Sequence, residues 1–191
     1  MVWNVQGVGS KPFVTALKDL VPIYKPNGIA LVEPHMGGNQ ALSIASTLGY
    51  SGHTRVDDMG FSGEIRIFWK PDIVTVEPII KHNQQITIDI KRVGAIPSYF
   101  TAIYASPDPM KRRELWNELR EFSMTHNKPW LIAGDFNDTS FSSKRSSACY
   151  ETTGRATRFD GWVEEMDLIE VEFVGALMNL KVITQVHGVC C

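Results

Sequence analysis

Three shortages narrow the reading before any motif is considered. Cysteine is scarce: three residues in 191, two of them adjacent at the end of the sequence, make no disulfide framework. A reducing setting, nucleus or cytoplasm, is therefore expected rather than secretion. Charge of one sign is not in excess. A net charge of −2 does not advertise a nucleic-acid binder, so any such role must rest on a local patch. No run approaches the ~20 apolar residues of a membrane span, and no signal peptide is visible at the start, so no membrane association is expected. Cys190-Cys191 fit no C-a-a-X pattern, and lipidation is not expected either. The five histidines (His35, His53, His82, His126, His187) lack the spacing of a zinc motif such as H-E-x-x-H, which argues against zinc.

What remains is ordinary for a globular protein. Hydrophobic residues make up 43% and charged residues 21%, and the chain is long enough for one domain with a proper core. Helices and strands alternate early and strands cluster in the middle. Ser10 can cap a helix with Pro12 in its first turn and Phe13, Ala16, Leu17 and Leu20 as its apolar stripe. Asn39 can cap a second, with Ala41, Ile44, Ala45 and Leu48 inward and Gly49 as its stop. From Tyr50 to Tyr104 the pattern is β: Glu64–Trp69, Ile73–Lys81, Gln85–Lys91 and Tyr99–Tyr104, with a hairpin turn at His82-Asn83-Gln84. Asp108-Pro109 opens a third helix, with Leu115, Trp116, Leu119 and Phe122 on one face. Thr153 or Thr157 starts a fourth, in which Phe159, Trp162, Val163 and Met166 keep helical spacing, and Leu168–Phe173 reads as a last strand. No repeat, low-complexity tract or linker interrupts this order, which suits two packed mixed sheets with helices outside.

The chemistry concentrates in Pro129-Trp-Leu-Ile-Ala-Gly-Asp-Phe-Asn-Asp138. Trp130 to Ala133 reads as a buried strand that Gly134 ends. Alternation then gives Asp135 and Asn137 one direction while Phe136 turns back to the core. A carboxylate beside an amide can take a proton from a water and orient it against a phosphate. The same Asp-x-Asn spacing is also common turn chemistry. Three other strand-like runs deliver a polar group near their ends: Asn4 before Gly7, Glu33 after Gly28–Val32, and Tyr104 before Ala105-Ser-Pro107. Taken singly, Asn4 can cap a turn, Glu33 can be an exposed strand end and Tyr104 a half-buried amphipathic ring.

As an ordered set these segments resemble the endonuclease/exonuclease/phosphatase superfamily of magnesium-dependent phosphodiesterases. The resemblance is closer to one branch. Trp3-Asn-Val-Gln-Gly7, Leu31-Val-Glu33, Gly60-Phe-Ser-Gly63 with Trp69, Tyr104-Ala-Ser-Pro107, Arg113-Glu-Leu-Trp116 and Gly134-Asp-Phe-Asn137 look like the endonuclease region of plant LINE-type (non-LTR) retrotransposons. It covers residues 1 to about 176. It implies a four-layer α/β sandwich with its site at one end between the sheets, DNA as the ancestral substrate, and Mg2+ as cofactor, with Mn2+ as a substitute. By resemblance, Glu33 holds the metal, Asn4 helps hold that carboxylate and the phosphate, and Tyr104 hydrogen-bonds the phosphate. Asp135 then acts as base toward the attacking water, and Asn137 steadies the transition state. Magnesium suits a carboxylate oxygen while keeping several waters. Among the basic residues, Lys111, Arg112 and Arg113, and after the Asp-x-Asn turn Lys144, Arg145, Arg155 and Arg158, are candidates for contact with a nucleic-acid backbone; a solvated helix face and loop is the plain alternative. The serines at 140–147 suggest a flexible loop around them.

The resemblance breaks after Gly175-Ala176. The family continues with more sheet, an aspartate that helps metal and base, and a terminal Ser-Asp-His. Here the sequence reads Leu177-Met-Asn-Leu-Lys-Val-Ile-Thr-Gln-Val-His-Gly-Val-Cys-Cys191, with no Asp beyond Asp167, and Val186 before the only later histidine, His187. Pro34 after Glu33 and Glu64-Ile-Arg66 are smaller departures. The expectation is an incomplete sandwich over residues 1–176 that lacks the C-terminal strands, followed by a divergent tail over 177–191 that is disordered or weakly docked. Leu180, Val182, Ile183 and Val186 of that tail could cover part of the exposed face with a strand. Hydrolysis is expected to be lost, because residues that act as a unit fail together. A non-catalytic nucleic-acid-binding remnant and another phosphatase of the superfamily are the alternatives.

Overall fold

A computed structural model describes residues 1–5, 11–34, 38–56, 64–137, 159–171 and 180–185, with backbone alone at 11–13, 38–40 and 180–181. Its elements in chain order are β1 (Val2–Asn4), α1 (Lys11–Tyr24), β2 (Gly28–Val32), α2 (Gly38–Thr47), β3 (Gly52–Val56), β4 (Ile65–Trp69), β5 (Thr75–His82), β6 (Gln85–Lys91), β7 (Ser98–Tyr104), α3 (Pro109–Thr125), β8 (Trp130–Asp135), a helix α4 over 159–165, β9 (Ile169–Glu170) and β10 (Leu180–Gln185). The described strands form a four-stranded sheet in the order β1-β2-β4-β3 and a six-stranded sheet in the order β5-β6-β7-β8-β10-β9. Both sheets are mixed. β1 and β2 run parallel, as do β7 and β8, and the remaining pairs are antiparallel.

Strand alternation sorts the apolar residues into three cores and so sets four layers. In β2, Ile29 and Leu31 face α1 and α2, where they join Leu17, Val21, Ala41, Ala45, Tyr50 and Phe68. Ala30 and Val32 face the other way and meet Ile65, Ile67, Ile86, Ile88, Ala102 and Tyr104 between the sheets. Behind the six-stranded sheet, Ile103, Trp130, Ile132, Phe136 and Ile183 pack on Leu115 and Leu119 of α3 and on Phe159 and Trp162 of α4. The layered α/β sandwich expected from the sequence is the observed architecture.

Local chemistry explains the boundaries. β6 covers the expected span because Ile86, Ile88 and Ile90 alternate strictly toward the inter-sheet core. Asp108 caps α3 as expected, its Oδ1 accepting from Met110 N at 2.9 Å, with Pro109 in the first turn. Gly49 follows α2 at φ 84°, the left-handed stop that glycine adopts at least cost. One helix end goes beyond what the sequence was read for, and two expectations shift. α1 continues through Pro22 to Tyr24, with Pro22 exposed. α2 begins at Gly38, so Asn39 lies inside it rather than capping it. The tail is more than a weakly docked segment: β10 pairs along all of β8 in register from Leu180↔Asp135 to Gln185↔Trp130. Ile183 is buried in the helix-side core, Gln185 Nε2 donates to Met166 O (3.0 Å) and Thr184 Oγ1 to Trp130 O (3.1 Å). A strand with a complete ladder and a buried isoleucine is held far more firmly than patching by scattered apolar contacts would hold it. Ser10, Gly7, the 60–63 segment and the serines at 140–147 lie outside the described residues, as do Thr153, Thr157 and His187.

Candidate functional site

The five candidate residues converge at one end of the space between the sheets. β1 and β2 place Asn4 and Glu33 from one sheet, and β7 and β8 place Tyr104 and Asp135 from the other, with Tyr104 and Asp135 as register partners. Two hydrogen bonds cross the gap. Asn4 Nδ2 donates to Asp135 Oδ2 at 2.8 Å, and the Tyr104 hydroxyl donates to Glu33 Oε1. Asn4 thus holds the Asp135 carboxylate, and Tyr104 the Glu33 carboxylate.

The backbone bends sharply on both sides of the gap. Glu33 takes a left-handed conformation (φ 52°), and so does Asn137 (φ 46°), which is uncommon for residues with a Cβ and occurs where neighbours over-determine the chain. Glu33 N donates to Glu64 O at 2.9 Å. Asn137 N donates to Asp135 Oδ1 at 2.8 Å, an Asx-type contact, and its side-chain Nδ2 donates to Ala105 O at 2.6 Å. Phe136, between the two, is fully buried on the helix side against Trp116 and Phe159, which fixes which way Asp135 and Asn137 point. Gly134, at φ 150°, passes so close to the Ile103 backbone that a Cβ there would collide with it. Only glycine lets β8 approach β7 in that conformation.

Asp135 carries both hydrogen bonds while almost fully buried. Burial pushes its carboxyl above the usual carboxylate value of 3.8, and the neighbouring Glu33 adds to the rise; the donations from Asn137 N and Asn4 oppose it. Tyr104 is pushed well above an ordinary phenol, first by burial, then by the hydrogen bond to Glu33 and by the charges of Glu33 and Asp135. The Tyr104 hydroxyl therefore stays a proton donor at any physiological pH. Asp135 is a more basic carboxylate than one in water, which suits proton abstraction.

The oxygen-rich donor set fits the expected magnesium. Glu33 and Asp135 supply carboxylates and Asn4 and Asn137 supply amides, and no ion pair with a described residue neutralises either carboxylate. A hard, well-hydrated cation held by one carboxylate matches such a site. No group of three or more His, Cys, Asp or Glu side chains gathers among the described residues.

Other expectations fare differently. Lys144, Arg145, Arg155 and Arg158 lie outside the described residues. Lys111 and Arg113 are exposed on α3, but Arg112 is not a backbone-contact candidate: it is buried, and its guanidinium donates to Ser106 O (2.7 Å) and Pro107 O (3.1 Å). A side chain only 3% exposed lies below the surface that a nucleic-acid backbone would touch. Glu64 and Arg66, noted only as departures from the family pattern, form a buried ion pair beside Glu33. Gln84 was read only as part of a hairpin turn. It sits in the β5–β6 turn, fully buried, with its side chain engaged on the segment after Tyr104.

The profile of the endonuclease/exonuclease/phosphatase family matches residues 1–163. No curated protein sequence matches the chain. Among solved structures, the endonuclease domain of TRAS1, a telomere-specific non-LTR retrotransposon, superposes with a TM-score of 0.68 at 14% identity, covering 95% of this chain and 82% of that one. The AP endonuclease of Leishmania major gives 0.65 at 14% identity over 88% and 66% of the two chains. The mannosyl-6-phosphatase of Bacteroides thetaiotaomicron gives 0.60 at 14% over 90% and 75%. At such identities the likeness is one of fold. No described helix is long and apolar enough to cross a membrane.

Proposed function

Because this chain belongs to the endonuclease/exonuclease/phosphatase family, we propose that Asn4, Glu33, Tyr104, Asp135 and Asn137 form the site of a magnesium-dependent phosphodiester hydrolase of retrotransposon descent, with DNA as its ancestral substrate. The observation that carries this reading is the pair of polar links, Asn4–Asp135 and Tyr104–Glu33, closed between two sheets at the one end where five strand-end polar groups meet.

Glu33 would hold the magnesium ion, which neutralises phosphate charge that otherwise repels a nucleophile. Asp135, made more basic by burial and by Glu33, takes the proton of the attacking water. Asn4 keeps the Asp135 carboxylate turned into the gap. The Tyr104 hydroxyl, once released from Glu33, and the second proton of the Asn137 amide are the donors that would meet phosphate oxygens. None of the described histidines joins this set. His82 lies beside Glu118, His53 beside Phe68, and His126 among Tyr99, Phe122 and Trp130. Among the described residues no imidazole stands beside Asp135, and an Asp base acting without one turns over slowly, so the chain is proposed to bind Mg2+ and DNA with little or no cleavage. The catalytic-type domain is taken as residues 1–176, with 177–191 contributing β10 to its second sheet.

Calorimetry with Mg2+ and a plasmid-nicking assay test this together. Binding weakened at least about tenfold by Glu33→Gln, with nicking near the EDTA baseline, is expected, since a lone carboxylate dominates such a site. Magnesium affinity indifferent to Glu33→Gln would sink the metal assignment. Robust nicking lost in Asp135→Ala and in EDTA would overturn the slow-turnover reading while keeping the site. The fold shared with a sugar-phosphate phosphatase favours a second reading, which phosphomonoester hydrolysis in place of DNA binding would support.

A further inference from the structure

A fully buried glutamine at the tip of a β-hairpin is out of place. Hairpin turns are normally solvated and use Gly, Asn or Asp, whereas Gln84 is 1% exposed. Burying a primary amide is costly unless both of its ends are satisfied. Both ends of Gln84 are satisfied from one region. Its Oε1 accepts from Ser106 N at 2.7 Å, its Nε2 donates to Lys111 O at 2.9 Å, and its own carbonyl accepts from Tyr104 N at 3.0 Å.

Residues 104 and 106 are thus pinned to one residue on either side of Ala105. Ala105 is in turn the point where the β7 segment meets the Asp-x-Asn turn. Its N–H donates to Asp135 O at 2.8 Å, and its carbonyl receives Asn137 Nδ2 at 2.6 Å. Arg112 closes the same segment from the α3 side through Ser106 O and Pro107 O. We propose that Gln84 is a positioning residue for the site. By fixing the Tyr104–Ser106 backbone it sets the carbonyl that orients the Asn137 amide and the strand end that presents Tyr104. The inference rests on the catalytic reading of those two residues. Its geometric part, the orientation of Asn137 through Ala105, stands apart from turnover.

Gln84→Met keeps length and volume and removes both amide contacts. Gln84→Glu keeps an acceptor toward Ser106 N, and is the conservative rescue. In the folded full chain, the Asn137 side-chain NH2 signals are read by 15N NMR beside amide-exchange protection of Ile103 and Ile132 in the sheet. Gln84→Met is expected to shift the Asn137 NH2 pair and to speed its exchange about tenfold or more, with sheet protection unchanged and Gln84→Glu lying between. An Asn137 pair unmoved in folded Gln84→Met would overturn the proposal, as would shifts no smaller in Gln84→Glu. Should Gln84→Met fail to fold, Gln84→Glu carries the same test: a partial shift of the Asn137 pair supports the proposal and an unmoved pair overturns it. If wild type cleaves DNA, kcat should fall about tenfold with KM within about twofold, the signature of lost orientation rather than lost binding. Absence of any cleavage or Mg2+ binding in wild type would bear on the catalytic reading alone, and the Asn137 signals would still decide the role of Gln84.

Discussion

The two sheets meet in two ways. Along most of their facing surfaces they are joined by an apolar layer of Ala30, Val32, Ile65, Ile67, Ile86, Ile88 and Ala102. At one end β1, β2, β7 and β8 bring in Asn4, Glu33, Tyr104 and Asp135, and the contact becomes two carboxylates, a phenol and an amide. The apolar part stabilises by removing apolar area from water, at roughly 25 cal/mol per Å2. The polar end runs against stability, because it holds a nearly buried carboxylate near a second one and twists Glu33 and Asn137 into left-handed backbone. One interface therefore provides both the stability and the site, and the first sustains the second.

The largest test of that division is at the apolar end. Ile65→Ala, at a fully buried position, should cost about 3 kcal/mol of unfolding free energy by denaturant titration, the usual range for such cavities. A loss below about 1 kcal/mol would mean that the sheets are not held there. Tyr104→Phe removes the hydroxyl that meets Glu33 and Asn137 and should cost about 1 kcal/mol, the scale of a net hydrogen bond, while abolishing any phosphodiester cleavage that the wild type shows. A cost equal to that of Ile65→Ala would put the site on the stabilising side of the comparison.

The smallest effect is in pH. Asp135 should titrate above 3.8, followed by its 13C carboxyl signal, and Glu33→Gln should bring it down by removing a neighbouring charge. The sign for stability follows from the raised value. Below the unfolded pKa both states hold the proton and the contribution of Asp135 is at its best. As pH rises toward the folded pKa the unfolded chain loses its proton first, so this contribution falls and stays low at neutral pH. Glu33→Gln should narrow that window. An Asp135 value unmoved by the substitution would separate the two carboxylates that the site reading brings together.

Particular residues show what sequence reasoning reached. Gly134-Asp-Phe-Asn137 was legible because strand alternation puts Phe136 inward and its neighbours outward, and the structure keeps that division. β6 was legible because Ile86, Ile88 and Ile90 alternate without interruption. β3 was legible only as part of a broad β region, since His53 and Arg55 are exposed and Thr54 is its only buried residue. The burial of Arg112 and of the turn residue Gln84 was not foreseen for one reason: a polar residue in a basic run or a hairpin turn reads as solvated, and burial of either depends on chain more than twenty residues away or on the far side of a turn. The strength of β10 was missed because its ladder depends on β8, some fifty residues earlier, and not on its own periodicity.

The sequence by itself determined the layered class, the five polar strand ends and the family to which they belong, because these follow from local periodicity and from ordered short motifs. Only tertiary structure decided their partners. Whether Asn4 grips Asp135 or Glu33, which way the Tyr104 hydroxyl donates, and what Gln84 holds are set by the register between β7 and β8 and by the gap between two sheets. Hydrogen bonds across such a gap join residues far apart in the chain, so no local pattern specifies them.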